Sequence, residues 1–174
     1  MLRTERPGDM LPVQALLEAA FGREDEAVLV NRLRECGAAV VTMVEEEEYE
    51  FMGHLLMSPV TINGEEGPWL GLAPLAVHPD WQGQGIGSDL VREGLDTALE
   101  MDWKAVVVLG DPAYYQRFGF RPASEFGLHC IYEVPAECFM AMELIPGSLA
   151  TLRGEVLYHP VFDEVPQEQP EAMQ

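Results

Sequence analysis

Apolar residues change their spacing along the chain from helical to alternating to continuous, and the changes mark the elements. Val13, Leu16, Leu17, Ala20 and Phe21 recur at three- and four-residue intervals after the turn signal "PGD". That spacing predicts an amphipathic helix starting near Asp9 or Met10. A second helical stretch carries Leu29, Val30 and Leu33 to Cys36, with Gly37 as its stop. "LRTER" supplies a short first strand, and "AAVVTMVE" and "YEFMGHLLMSPV" read as the next two. The acidic run Glu45 to Glu48 between them is expected to be a solvated hairpin loop that also discourages edge pairing. After the turn "NGEEG", the nearly continuous apolar run "WLGLAPLAV" suits a strand buried on both faces. Leu90, Val91, Leu95, Ala98 and Leu99 return to helical spacing between about Gly87 and Met101, and valine-rich "AVVVLG" is the most strand-like stretch of the chain. "DPAYYQRF" predicts a short helix opened by Asp111 and Pro112, a good cap and first-turn pair. "FGFRPASEFGLHC" and "CFMAMEL" supply two more strands. The order β, α, α, β, β, β, α, β, α, β, β predicts one α/β (α+β) domain over residues 1–160. The polar, proline-containing remainder, 161–174, reads as a mobile tail.

Composition narrows the partners. The chain has 174 residues, 48% of them hydrophobic and 23% charged, as expected for one soluble globular domain. Thirty acidic residues against ten basic ones give a formal charge of −20. No basic stripe exists to meet a phosphate backbone, so nucleic acid is not an expected partner. Cys36, Cys130 and Cys138 are odd in number and form no CxxC pair, which suggests neither a disulfide framework nor a metal site and fits a reducing cytoplasm. No stretch approaches the roughly 20 apolar residues of a membrane helix, and "MLRTERPGDM" has no apolar core of a secretion signal.

The chemistry concentrates in "HPDWQGQGIGSDLV", where three glycines fall between an apolar strand and a helix. A strand-to-helix loop of this kind presents N–H groups that the helix cannot satisfy, and their partial charge adds to the helix dipole to make an anion site. A Walker loop requires a lysine that is missing here. A dinucleotide fingerprint requires a third glycine where Ser88 stands. The pattern that does fit is QxxGxG, met by Gln82, Gly85 and Gly87. With it, "LAPLAVHPDWQGQGIGSDLV" resembles the fourth strand, loop and third helix of the GCN5-related N-acetyltransferase (GNAT) superfamily. "AYYQRFGF", some 30 residues on, resembles that family's "FYxxxGF" element.

The resemblance implies a single mixed, mostly antiparallel sheet in which central parallel strands 4 and 5 splay apart, flanked by helices. It implies acetyl-CoA as cosubstrate, without metal, and direct transfer of its acetyl group to a primary amine. Leu75, Ala76 and Val77 would meet the pantetheine arm, and Gln82, Gly83, Gln84, Gly85, Ile86, Gly87 and Ser88 would cradle the pyrophosphate. Pro74, which cannot donate a ladder bond, is consistent with an interrupted strand there. Asp111 stands where the family often has an asparagine that contacts the cofactor, and Tyr115 stands at the position of the tyrosine general acid. No carboxylate lies in "WLGLAPLAVH", so Glu24 and Glu26, between the first two helices, are the base candidates; His54, His78 and water remain open. The expected partners are acetyl-CoA and an amine acceptor, with a homodimer left open. A non-catalytic acyl-CoA-binding or regulatory module of the same fold is the competing class.

Overall fold

The computed structural model describes residues 1–166. Its strands are β1 (Leu2–Thr4), β2 (Val41–Glu47), β3 (Glu50–Ile62), β4 (Glu65–Val77), β5 (Ala105–Leu109), β6 (Arg121–Pro122), β7 (Leu128–Cys130), β8 (Phe139–Glu143) and β9 (Gly154–Leu157). Its helices are α1 (Met10–Phe21), α2 (Asp25–Glu35), α3 (Ile86–Glu100) and α4 (Pro112–Tyr115). The strands run β1-β2-β3-β4-β5-β8-β6 across one sheet, with β9 paired to both β3 and β7. Neighbours in this path are antiparallel except β4 and β5, which are parallel and joined through α3. This is the mixed, mostly antiparallel architecture expected from the sequence. No helix among the described residues is long and apolar enough to cross a membrane.

Each helix buries the face its spacing predicts. Leu90, Val91, Leu95 and Ala98 of α3 pack on Leu55, Leu70, Leu72 and Val106, forming the core on one side of the sheet. Val13 and Leu17 of α1 and Val30 and Leu33 of α2 cover Val44, Leu56 and Ala76 on the other. A third cluster, including Trp69, Val107, Leu128 and Val156, fills the end of the sheet nearest β7 and β9.

Three expectations are corrected. Glu45, Glu46 and Glu47 belong to β2, and the hairpin turns at Glu48–Tyr49, both left-handed with φ of 50° and 69°. That backbone matches the twist of the flanking strands, and Glu46 is free to pair with Arg3. "FGFRPASEFGLHC" is two short strands split by a 3-10 turn at Ala123–Phe126, which buries Ala123. The segment after residue 160 begins as a docked turn, Pro160–Glu164, with Val161 and Phe162 only 5% and 2% exposed against the α1/α2 core. Glu164 pairs with Arg32, and the Pro166 carbonyl accepts from Arg23. The two apolar side chains outweigh the polar average on which the tail was assigned. Residues 167–174 lie outside the described residues.

Buried charges tie the N-terminus to the frame. Asp9 accepts two bonds from the Arg3 guanidinium, at 2.7 and 3.0 Å, and one from the Arg6 N–H. The Arg3 contact holds its carboxyl below the usual range against the opposing effect of burial. Glu5 lies between His54 and Arg34; burial pushes its carboxyl up, and the two basic partners together outweigh that and keep it low. Carboxyls depressed in the fold stabilise it above the ordinary carboxylate range near pH 4 and lose that contribution as pH falls through it. Asp9→Asn should therefore cost about 1–3 kcal/mol in urea unfolding at pH 7, with the gap to the parent closing below about pH 3. Phe162→Ala should cost about 3–5 kcal/mol; a loss under about 1 kcal/mol would show that the segment after residue 160 does not dock in solution.

Candidate active site

The chain between β4 and α3 begins with a tight turn, Pro79–Trp81, in which His78 Nδ1 accepts the Asp80 N–H at 3.1 Å. Gly83 and Gly85 follow with φ of 77° and 86°. A Cβ at either would meet nothing within 4 Å, so these glycines answer a left-handed backbone rather than a shortage of space. Gly87 is the one that permits close approach: a Cβ there would stand 2.8 Å from the Tyr114 hydroxyl. Among the described residues, the N–H groups of Gly83, Gln84 and Gly85 reach no backbone carbonyl. Those of Ile86, Gly87 and Ser88 open α3 and have no intrahelical acceptor. Five of these six residues, all but Gln84, line a cavity of about 280 Å³ together with Gln82, Tyr114 and Arg117 among others.

Side chains refine this anion site. Gln82 donates to the Val77 carbonyl at 3.1 Å, so its amide fastens the loop to the end of β4. Arg117 donates to Ser88 Oγ at 3.1 Å and to the Tyr114 carbonyl at 3.2 Å, with its guanidinium 4.5 Å from the Tyr114 ring centre. Arg117 and Tyr114 were not expected from the sequence as site residues. The signal was available, since both lie in "AYYQRFGF", but only folding brings position 117 to position 88. Gln84 is exposed and does not line the cavity, whereas Ile86 lines it and also packs against the α3 core.

Upstream of the loop, β4 leaves β5. Their ladder has four rungs, Trp69–Ala105 to Leu72–Val108, and stops there. Ala73 and Pro74 together stand opposite Leu56 of β3, a bulge that bends β4 away. Beyond it, the His78 N–H bonds the Met52 carbonyl, which makes that pair, and Ala76–His54 two residues earlier, the hydrogen-bonded pairs of the β3–β4 ladder. The main-chain groups of Leu75 and Val77 consequently point the other way, into the gap that β5 has vacated. Ala76 turns its main chain to β3, so the register separates it from the other two residues expected at this place.

Tyr115 ends α4, whose N-terminus is capped by Asp111 accepting the Ala113 N–H at 3.0 Å. That bond engages the carboxylate expected near the cofactor, and Asp111 does not line the cavity. The Tyr115 ring is 2% exposed, edge-on to Tyr114 and Phe120 at 5.0 and 5.7 Å, and covers Gly110. Burial raises its phenol well above the ordinary value, so the hydroxyl stays protonated.

Comparison with known proteins bears on this arrangement of parted strands, glycine loop and tyrosine helix. The family model described as "Acetyltransferase (GNAT) domain" matches residues 38–122. The Escherichia coli K12 protein YhbS, an uncharacterized N-acetyltransferase, is 40% identical over 164 residues, covering 94% of this chain and 98% of its own. The chain belongs to the GNAT family. YhbS was solved in complex with CoA, and that structure superposes with a TM-score of 0.90 at 40% identity, over 94% of this chain and 91% of the other. A Brucella melitensis GNAT acetyltransferase in complex with acetyl-CoA gives 0.80 at 35% identity, over 94% and 97%. The protein is accordingly an acyltransferase of GNAT architecture.

The remaining candidates fall outside the GNAT cavity. Glu26 is buried against the Arg23 guanidinium and Glu24 is exposed at the start of α2; neither lines the cavity at the loop. His54 is fully buried with Nε2 3.2 Å from Glu5, in the ionic cluster beneath α2. His78 caps its own turn. Burial pushes the Cys130 thiol up, away from a nucleophilic thiolate. The backbone account of the loop is testable by denaturation: Gly85→Val should cost about 1–2 kcal/mol although its side chain has room, and Gly85→Asn distinctly less, because asparagine tolerates the left-handed region. Equal costs would make sterics, not φ, the reason for the glycine.

Proposed function

We propose that this acyltransferase moves the acetyl group of acetyl-CoA to the primary amine of an acceptor by direct attack. The observation that carries the proposal is the alignment of two sets of main-chain groups along one path. The six N–H donors of Gly83 to Ser88 suit a pyrophosphate. The main-chain groups of Leu75 and the Val77 N–H in the β4–β5 gap suit the amides of a pantetheine arm, while the Val77 carbonyl already accepts from Gln82. Arg117 adds the local cation that the −20 chain otherwise withholds, and its charge acts at contact range while salt screens distant carboxylates beyond about 8–10 Å.

Acetyl-CoA, when bound, supplies an activated acyl group. The amine nitrogen attacks the thioester carbon, the C–N bond forms and the C–S bond breaks. One proton leaves the nitrogen to water, and the departing thiolate takes one from a donor. Tyr115 fits the donor role by its place in "AYYQRFGF": its phenol is held protonated by burial and ends the helix that follows β5, although it does not line the loop cavity. No carboxylate among the described residues lines the loop cavity, which favours deprotonation of the amine through water.

Calorimetry with acetyl-CoA and thiol release against a panel of primary amines test the reading. Tyr115→Phe should retain cofactor affinity and lose about 10²–10⁴ in turnover, the usual contribution of a positioned acid. Near-normal turnover would give the proton to another donor. Binding without thiol release from any amine would favour a non-catalytic acyl-CoA-binding module.

A further inference from the structure

Position 114 departs from the "FYxxxGF" element: tyrosine stands where the element has phenylalanine, so the hydroxyl is an addition of this chain. Tyr114 lies in α4, which follows β5, yet its ring reaches the start of α3, which follows β4. A Cβ at Gly87 would meet the Tyr114 hydroxyl first, at 2.8 Å, and then Val77 Cγ2 and Leu75 Cδ2 at 3.4 and 4.0 Å. The hydroxyl therefore stands where the end of β4 and the first turn of α3 meet. Glycine in that turn costs helix stability that alanine would not, and its missing Cβ is what leaves the hydroxyl room.

The ring is held from several sides. Tyr115 and Phe118 lie edge-on to it at 5.0 and 5.3 Å, and the Arg117 guanidinium covers it at 4.5 Å. Arg117 is itself tied to Ser88 Oγ, on the residue after Gly87. Packing thus sets the direction of the hydroxyl before any ligand arrives. Among the described residues Tyr114 enters hydrogen bonds through its main chain, with Asp111 and Arg117, and not through its hydroxyl. The side chain nevertheless lines the same cavity as Gly85, Ile86, Gly87 and Ser88. Phenylalanine would make the same ring contacts, so they do not account for the oxygen.

We propose that the Tyr114 hydroxyl is a further cofactor-binding group, donating a hydrogen bond to a pyrophosphate oxygen of acetyl-CoA seated on the first turn of α3. The assignment rests on the acetyl-transfer reading above, which puts the pyrophosphate at that turn. A phosphate oxygen accepts more than one hydrogen bond, and the donors here differ in kind: main-chain N–H groups, a guanidinium beside Ser88 and a hydroxyl beside Gly87. Arg117 contributes charge, whereas the neutral hydroxyl contributes a directed donor and no charge. No carboxylate among the described residues lines this cavity to take the hydroxyl's proton in the ligand's place.

The test is calorimetry of CoA and acetyl-CoA on the parent, Tyr114→Phe and Arg117→Gln, with melting temperatures and a salt series. Tyr114→Phe should weaken both ligands alike by about 10–100-fold, the effect of one hydrogen bond to a charged group, at an unchanged melting temperature and with the parent's salt dependence. Arg117→Gln should flatten that dependence, because it removes a charge that salt screens. A loss under about tenfold in Tyr114→Phe would overturn the proposal. A flattened salt dependence in Tyr114→Phe would overturn it too, by making the hydroxyl a support for Arg117, and a lowered melting temperature would do so by making it structural. In a crystal of the parent with CoA, the hydroxyl should stand about 2.5–3.0 Å from a phosphate oxygen; a hydroxyl bonded to the pantetheine arm would contradict the assignment. Failure of the parent to bind either ligand would instead refute the acetyl-transfer reading, and leave the hydroxyl no pyrophosphate to meet.

Discussion

β4 and β5 share four parallel rungs and then part at the Ala73–Pro74 bulge, leaving the main chain of Leu75 and Val77 without a neighbouring strand. Buried backbone donors and acceptors are almost always paired, so a gap in the middle of a sheet has to be completed by something else. Proline at the bulge cannot donate a ladder bond, which is consistent with an interrupted strand there. The helices follow from this opening. α3 returns the chain to β5 and starts at the mouth of the gap, and α4 leaves β5 at the opposite lip with Tyr115 at its end.

The anion site depends on local geometry and not on overall charge. A protein at −20 repels anions at long range, yet the loop N–H groups and the Arg117 guanidinium lie together at one cavity, where an anion would meet them at contact range and distant carboxylates are screened. Two left-handed glycines aim the donors, and Gln82 fixes the loop to the strand from which the gap begins. The loop and the gap are therefore one structure: the amide of Gln82 takes the Val77 carbonyl, at the boundary between them.

Local signals were legible in the sequence. The continuous apolar run of β4, the valines of β5, the Asp111–Pro112 start of α4 and the glycine loop each state a backbone preference within a few residues. What escaped detection depended on partners far along the chain. Gly154–Leu157 is too short and too mixed to announce a strand, and exists because β3 and β7 pair with it. Val161 and Phe162 are two apolar residues in a polar stretch, and only the α1/α2 surface gives them a place. Arg117 reached the site by tertiary packing, while Glu24 and Glu26, nearer in the expected order of elements, stayed away from it. The register of β4, which turns Leu75 and Val77 to the gap and Ala76 to β3, follows from a single hydrogen bond at His78 that no sequence pattern records.

A crystal structure of the protein grown with acetyl-CoA tests the central claim most directly. The account predicts pyrophosphate oxygens within hydrogen-bond distance of the N–H groups of Gly83 to Ser88 and the pantetheine arm bonded to the main chain of Leu75 and Val77, with β4 and β5 still parted after Leu72–Val108. A ligand bound elsewhere, or a β4–β5 ladder that closes over those residues, would contradict it.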